Sequence, residues 1–286
     1  MSAHLRETWA TPVQAPREDA AMLFPGHTIK AGEPDAVIVK ALKAQLNQVL
    51  TLTNEPSLRL DEGEGTFGAK MRQVVKLFQA RHVDPEGRPL KQDGEVGAIT
   101  WAVLFGEHSV PNAGKAIDPL LAEVIRVAQV ELAKPVREQP TNSNRGPDVE
   151  MYLASVGLGG GFSWCCAFTY WCFQQAATQM RRSNPMVKTA GCIKHWQDAP
   201  GKGAKLISAA AAQADPGLLR PGMLFIMDHG KGLGHTGLIE SVAGGLLTTI
   251  EGNTDASRTR EGGGVYRLVR KVSEINKGYI DYAGVR

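Results

Sequence analysis

The sequence predicts an α+β protein: a small all-α unit of three helices, followed by a larger unit in which a cysteine-bearing helix meets antiparallel strands. Three observations predict this. The chain has 286 residues, nearly twice the ~150 of a typical domain, so two domains are the first expectation. Its first half carries apolar residues at helical spacing. Its second half adds two strand-like runs separated by glycines, 234–242 and 246–251. With 43% hydrophobic and 21% charged residues, the composition supports real cores and excludes a disordered chain. Apolar runs such as 223–227 fall far short of the ~20 residues that cross a bilayer, so no membrane insertion is expected.

Residues 1–35 hold Pro12, Pro16, Pro25 and Pro34 and read as an irregular leader. A helix follows over 36–50, with Val37, Ala41, Leu42, Leu46, Val49 and Leu50 at helical spacing. A second is expected over 68–81 (Met71, Val74, Val75, Phe78) and a short third from Ala98 (Trp101, Leu104, Phe105). Two copies of one turn introduce the latter helices: 64–71 echoes 93–100, each with two glycines around one apolar plug, Phe67 or Val96. The glycines permit positive φ, while Phe67 or Val96 reaches back into the core. The pattern Gly65-Thr66-Phe67-Gly68, Val74-Val75-Lys76-Leu77-Phe78-Gln79, Asp93-Gly94-Glu95-Val96-Gly97 and Thr100-Trp101-Ala102-Val103-Leu104 resembles the three-helix peptidoglycan-binding domain of bacterial wall hydrolases. The resemblance covers about 37–105 and implies a wall-binding domain at 36–105. It departs at 82–92, which is longer and more polar than usual.

Residues 106–118, rich in Gly, Pro and Asn, read as a linker. Asp118-Pro119 then marks an N-cap and first-turn proline, opening a second domain over 119–286. Within it, Gly159-Gly160-Gly161 leads into an apolar helix whose first turn holds Cys165 and Cys166. A thiol there feels unpaired N–H groups and the positive end of the helix dipole, which favours thiolate. Core packing is the default for Cys172 and Cys192. The spacings are wrong for a structural zinc site, and His229 and His235 lack a third ligand, so no metal and no cofactor are expected.

A thiolate nucleophile needs a base and a group that orients the base. Of the seven histidines, His4 and His27 fall in the leader, His82 and His108 in the first unit or linker, His195 on an expected surface helix, and His229 in a turn. His235 opens a strand. If Ala243-Gly244-Gly245 form a three-residue loop, Val242 pairs with Leu246, His235 faces Asn253, and Glu251 falls opposite Gly237. A two-residue loop would put His235 and Asn253 on opposite faces.

The order Cys, His, Glu, Asn, with helix-borne Cys and strand-borne His, resembles the CHAP family of cysteine peptidoglycan amidases and endopeptidases. The resemblance spans about 120–286, on 144–153, Trp164-Cys165-Cys166-Ala167-Phe168, Pro221-Gly222-Met223-Leu224-Phe225, Gly234-His235-Thr236-Gly237 and Ile250-Glu251-Gly252-Asn253-Thr254. It implies a papain-like fold, Cys165 as nucleophile, His235 as base, and Glu251 and Asn253 as polar partners. Cys166 departs from it, because a small residue usually stands there.

Peptidoglycan is therefore the expected partner, cut as an N-acetylmuramoyl-L-alanine amidase or as a stem-peptide endopeptidase. The alternative is a non-catalytic wall-binding protein with a degenerate second domain. Net charge is +3, divided as +6 over 151–286 (15 basic, 9 acidic) and −3 over 1–150 (17 and 20). A positive second half suits a polyanion. No basic run interleaved with aromatics points to nucleic acid, and a monomer is expected. The first residues carry no basic cluster leading into an apolar stretch, so synthesis in the cytoplasm without a signal peptide is expected. Action in the wall or periplasm would then follow release as a phage endolysin or injection as an antibacterial effector. The latter implies a secretion or injection apparatus and a cognate immunity protein.

Overall fold

The computed structural model describes residues 22–257 and 262–286. The first 21 residues of the expected leader, His4 among them, lie outside the described residues. Helix α1 (Ala36–Val49) begins where the Asp35 carboxylate accepts from the backbone N–H groups of Val37 (2.8 Å) and Ile38 (3.3 Å). Helices α2 (Ala69–Arg81) and α3 (Ala98–Phe105) pack with it around Phe67, Phe78, Val96 and Trp101. Residues 22–35 contain no helix, yet they are no free arm: Phe24 and Ile29 enter this core, and Ile29 exchanges two backbone hydrogen bonds with Val96 (3.1 and 2.8 Å).

The repeated turns use their glycines in different ways. Of Gly65, Gly68, Gly94 and Gly97, only Gly94 has positive φ, +76°. Gly65 instead admits Ala36, whose Cβ lies 2.5 Å from where a side chain would begin. Gln79 staples the second turn. Its Nε2 donates to Asp93 Oδ1 (3.0 Å) and the Glu95 carbonyl (2.9 Å), and its Oε1 accepts from the Gly94 N–H (2.9 Å). The polar departure at 82–92 meets the far end of the chain. Arg88 Nη1 donates to the Val269 carbonyl (3.0 Å), Lys271 Nζ donates to the Pro89 carbonyl (2.9 Å), and Lys271 sits 3.4 Å from Asp84.

The stretch read as a linker contains a 3-10 turn, Glu107–Ser109, and Ala113 exchanges two 2.9 Å backbone bonds with Val242. It runs along the sheet because this pairing satisfies its backbone. Asp118 caps α4 (Pro119–Ala133) through Leu120 and Leu121 (2.9 and 3.1 Å). Then come α5 (Pro147–Ser155), α6 (Cys165–Gln179), α7 (Cys192–Asp198), β1 (Lys205–Ser208), α8 (Ala209–Ala214), β2 (Leu224–Gly230), β3 (Leu233–Ala243), β4 (Leu246–Thr254), β5 (Gly264–Lys271) and β6 (Gly278–Asp281). The strands form one antiparallel sheet in the order β1-β6-β2-β3-β4-β5. Helix α6 packs on β3 and β4 and against α4 and α5, and α4 itself reaches β3, β4 and β5. Its buried stripe, including Phe168 and Phe173, joins Tyr152, Trp164, Leu238 and Ile250 in the main core. This is the expected α+β architecture, with the cysteine helix laid on the histidine strand. Among the described residues, no helix is long and apolar enough to cross a membrane.

The β3–β4 hairpin decides between the two loop lengths. Its loop has two residues, Gly244 and Gly245, both at positive φ (+55° and +78°), as the tight turns that match strand twist require. Ala243 therefore pairs with Leu246 and Val242 with Leu247. A bulge at Glu240 then shifts the ladder by one residue, so that Ile239 pairs with Thr249 and Leu238 with Ile250. Beyond the bulge the register is the one a three-residue loop would have produced.

Candidate active site

Trp164 precedes α6, and its indole N–H donates to Glu138 Oε1 at 2.9 Å. The other oxygen of Glu138 accepts the Asn144 N–H at 3.0 Å. These bonds pin the helix start that carries Cys165. Strand β4 reaches the same point because residue 252 is glycine: a Cβ there would come within 2.7 Å of Trp164 Cζ3 and 2.9 Å of Phe168 Cβ. Cys165 is buried, with its Sγ 3.5 Å from Cys192 Sγ. Cys192 is buried in the core as expected, and this proximity gives it a second thiol as neighbour. It also reverses the expected pull of the helix dipole: the Cys192 hydrogen bond and burial push the Cys165 thiol up, against the lowering influence of His235.

His235, in β3, is the histidine that this thiol senses. Its Nε2 lies 2.7 Å from Glu251 Oε2. An ionised carboxylate can only accept, so Nε2 carries the proton, and in the neutral ring Nδ1 is left as an acceptor. Nδ1 has no hydrogen-bond partner among the described residues. Glu251 is fully buried and fully paired. Arg270 Nε and Nη2 donate to its two oxygens at 2.6 Å each, and the Thr249 hydroxyl donates to Oε1 at 2.6 Å. Burial opposes the charge of Glu251, but Arg270 and then His235 hold it down to about 2. Burial likewise opposes a charged His235, yet Cys165 and Glu251 hold it up to about 9.

Asn253 does not bond to His235. Its side-chain nitrogen and oxygen are buried with no partner among the described residues, its φ is +57°, and it lines a cleft of about 310 Å³ together with Cys165, Cys192, Phe162 and Leu233. The structure thus brings Glu251 to His235, and sets Asn253 beside Cys165 at the cleft. A buried carboxamide without a partner is uncommon, and this one stands at the cleft wall.

His195 departs from expectation too. It is fully buried rather than on a surface helix, with Nε2 2.8 Å from the Tyr282 hydroxyl and Nδ1 3.8 Å from Cys166 Sγ, and burial pushes it down to about 3. Sequence reasoning missed Arg270 and Thr249. Thr249 stands two residues before Glu251, on the same strand face, a period-2 signal that was available. Arg270 comes from a strand that no motif marked.

Residues 157–253 match the family model of the CHAP domain. The chain carries a CHAP domain. The match contains Cys165, His235, Glu251 and Asn253, and the sheet with its cysteine helix is the papain-like α+β fold of that family. A CHAP domain points to hydrolysis of amide or peptide bonds in peptidoglycan. No curated protein and no solved structure significantly matches the chain.

One residue of the CHAP domain is fixed by space alone. Continuing the β3–β4 register sets Gly237 across from Glu251, and a Cβ on it would fall 2.6 Å from Glu251 Cγ and 2.9 Å from Phe225 Cε1. Gly237→Ala is expected to lower unfolding free energy by about 1–3 kcal/mol through overpacking. Urea denaturation of the variant beside the parent measures the change.

Proposed function

We propose that this protein hydrolyses an amide bond of peptidoglycan by cysteine nucleophilic catalysis, through Cys165, His235, Glu251 and Asn253. One observation carries the reading: a helix-terminal thiol that lines the cleft and a histidine tied to a buried, fully paired carboxylate shift each other's protonation. In the neutral form of the ring, His235 Nδ1 takes the Cys165 proton as sulfur attacks the amide carbonyl carbon. Glu251 holds the ring and stabilises the imidazolium that forms. The oxyanion accepts from backbone N–H groups at the start of α6 and from the Asn253 carboxamide, which costs no reorganisation at the moment of attack. As the C–N bond breaks, the imidazolium gives its proton to the leaving amine. Water, deprotonated by His235, then hydrolyses the thioester and frees the thiol.

The α1–α3 unit, 36–105, serves as the wall-binding domain, and the stretch 106–118 joins it to the catalytic domain at 119–286. Holding the enzyme on its polymer raises the effective substrate concentration. The two routes of delivery, release as a phage endolysin and injection as an effector with an immunity protein, bring the enzyme to the same substrate.

Mass spectrometry of fragments released from purified sacculi by the full chain tests the reading. New amine termini are expected, on L-alanine for an amidase or inside or between stem peptides for an endopeptidase. Absence of new amines, or new reducing sugar ends alone, overturns the proposal.

A further inference from the structure

The cleft holds more sulfur than acyl transfer requires. All four cysteines are free and buried, but they are not equivalent. Cys172 sits in the interior of α6, and Cys166 faces His195. Cys165 and Cys192 both line the cleft, with their Sγ atoms 3.5 Å apart. That is close to van der Waals contact for two sulfurs and roughly 1.5 Å beyond a disulfide bond. They are the first residues of two different helices, α6 and α7, and the stretch 181–191 leading to Cys192 contains no helix or strand. The remaining distance can therefore close by shifting the start of a seven-residue helix while the sheet stays in place. A small oxidant that enters the cleft meets both thiols.

We infer that Cys165 and Cys192 form a redox-active dithiol, which a hydroperoxide closes into a disulfide that masks the nucleophile and which a thiol reductant reopens. The effect on turnover rests on the proposed role of Cys165; the covalent chemistry does not. His235 Nδ1 accepts the Cys165 proton, and the thiolate attacks the peroxide. The O–O bond breaks, sulfur becomes a sulfenic acid, and the leaving oxygen departs as water or alcohol. Cys192 then attacks the sulfenic sulfur: the S–S bond forms, the S–O bond breaks, and hydroxide leaves as water with the proton Cys192 gave up. Two thiols lose two electrons, and the peroxide gains them. Without Cys192 nothing resolves the sulfenic acid, and oxidation climbs to acids that a reductant does not restore.

The full chain treated with hydrogen peroxide tests this, read by intact mass, thiol titration and peptide mapping. The expected result is a loss of two hydrogens, loss of two of the four thiols, and one cross-link that persists in Cys166→Ser and in Cys172→Ser. Wall-fragment release is lost with the thiols and returns with dithiothreitol. In Cys192→Ser the cross-link is absent, the chain gains oxygen, and the activity of that variant, measured against its own reduced state, does not return. A cross-link joining Cys166 to Cys192, or oxygen added to Cys165 in the parent with Cys192 still reduced, overturns the inference. If the disulfide forms while the reduced chain releases no fragments, the dithiol stands and the proposed function falls. If the reduced chain is active and no disulfide forms, the reverse holds.

Discussion

Cys165→Ala is expected to abolish release of wall fragments, lowering kcat/KM by about 10⁵-fold or more, while Cys166→Ala keeps turning over. The size follows from the chemistry: a methyl group cannot form the thioester, and oxyanion donors acting without a nucleophile leave only a small residue of catalysis. The contrast follows from position. Both thiols are in the first turn of α6, but Cys165 lines the cleft, whereas Cys166 is fully buried beside His195. His195 cannot serve as a second base, because burial holds it down to about 3 and Tyr282 occupies its Nε2. Truncating either thiol removes one small buried group, so both variants should melt near the parent, within about 1–2 kcal/mol. Fragment release and denaturation measured on the same preparations separate lost chemistry from lost fold. Activity that survives in Cys165→Ala and disappears in Cys166→Ala would transfer the nucleophile to Cys166.

The candidate nucleophile and base stand out in the sequence because each sits in a local pattern: a glycine-rich turn into an apolar helix for Cys165, a strand start followed by glycine for His235. The register joining His235 to Glu251 depended on a loop length that the sequence left open. The loop has two residues, and the bulge at Glu240 restores the offset that a three-residue loop would give. A bulge is one unpaired residue, and alternation of apolar side chains in a short strand does not reveal it. The turns of the N-terminal unit show the same limit. Their glycines were visible, but the Gln79 amide that holds Asp93, Gly94 and Glu95 acts across 14 to 16 residues of chain. Cys192 escaped for a related reason. Its partner lies 27 positions away, and a cysteine in an apolar setting reads as core.

Arg270→Ala is expected to lower unfolding free energy by about 3–5 kcal/mol at neutral pH, the cost of leaving a buried carboxylate without its cation. Glu251 loses two 2.6 Å charge-assisted bonds and keeps only Thr249 and His235. Arg270 also lies 5.4 Å over the Phe225 ring, so some packing goes with it. The pH dependence separates these losses. Glu251 is held from 4.5 down to about 2, so its contribution is complete above pH 4.5 and disappears as pH falls toward 2. His235 is raised from 6.5 to about 9, so its contribution is complete below pH 6.5 and disappears as pH rises through 9. Parent and variant should therefore differ most above pH 4.5 and converge in acid, where Glu251 is protonated in both. A packing loss would persist at every pH. Turnover should fall as well, because a Glu251 that takes up a proton at neutral pH no longer stabilises the imidazolium, and the acidic limb of the rate profile, where His235 becomes charged before it can accept the Cys165 proton, should move to lower pH. Guanidinium denaturation from pH 3 to 9, with fragment release over the same range, measures both effects. A stability difference that ignores pH, with an unmoved rate profile, would reduce Arg270 to a packing residue and leave Glu251 to hold the histidine alone.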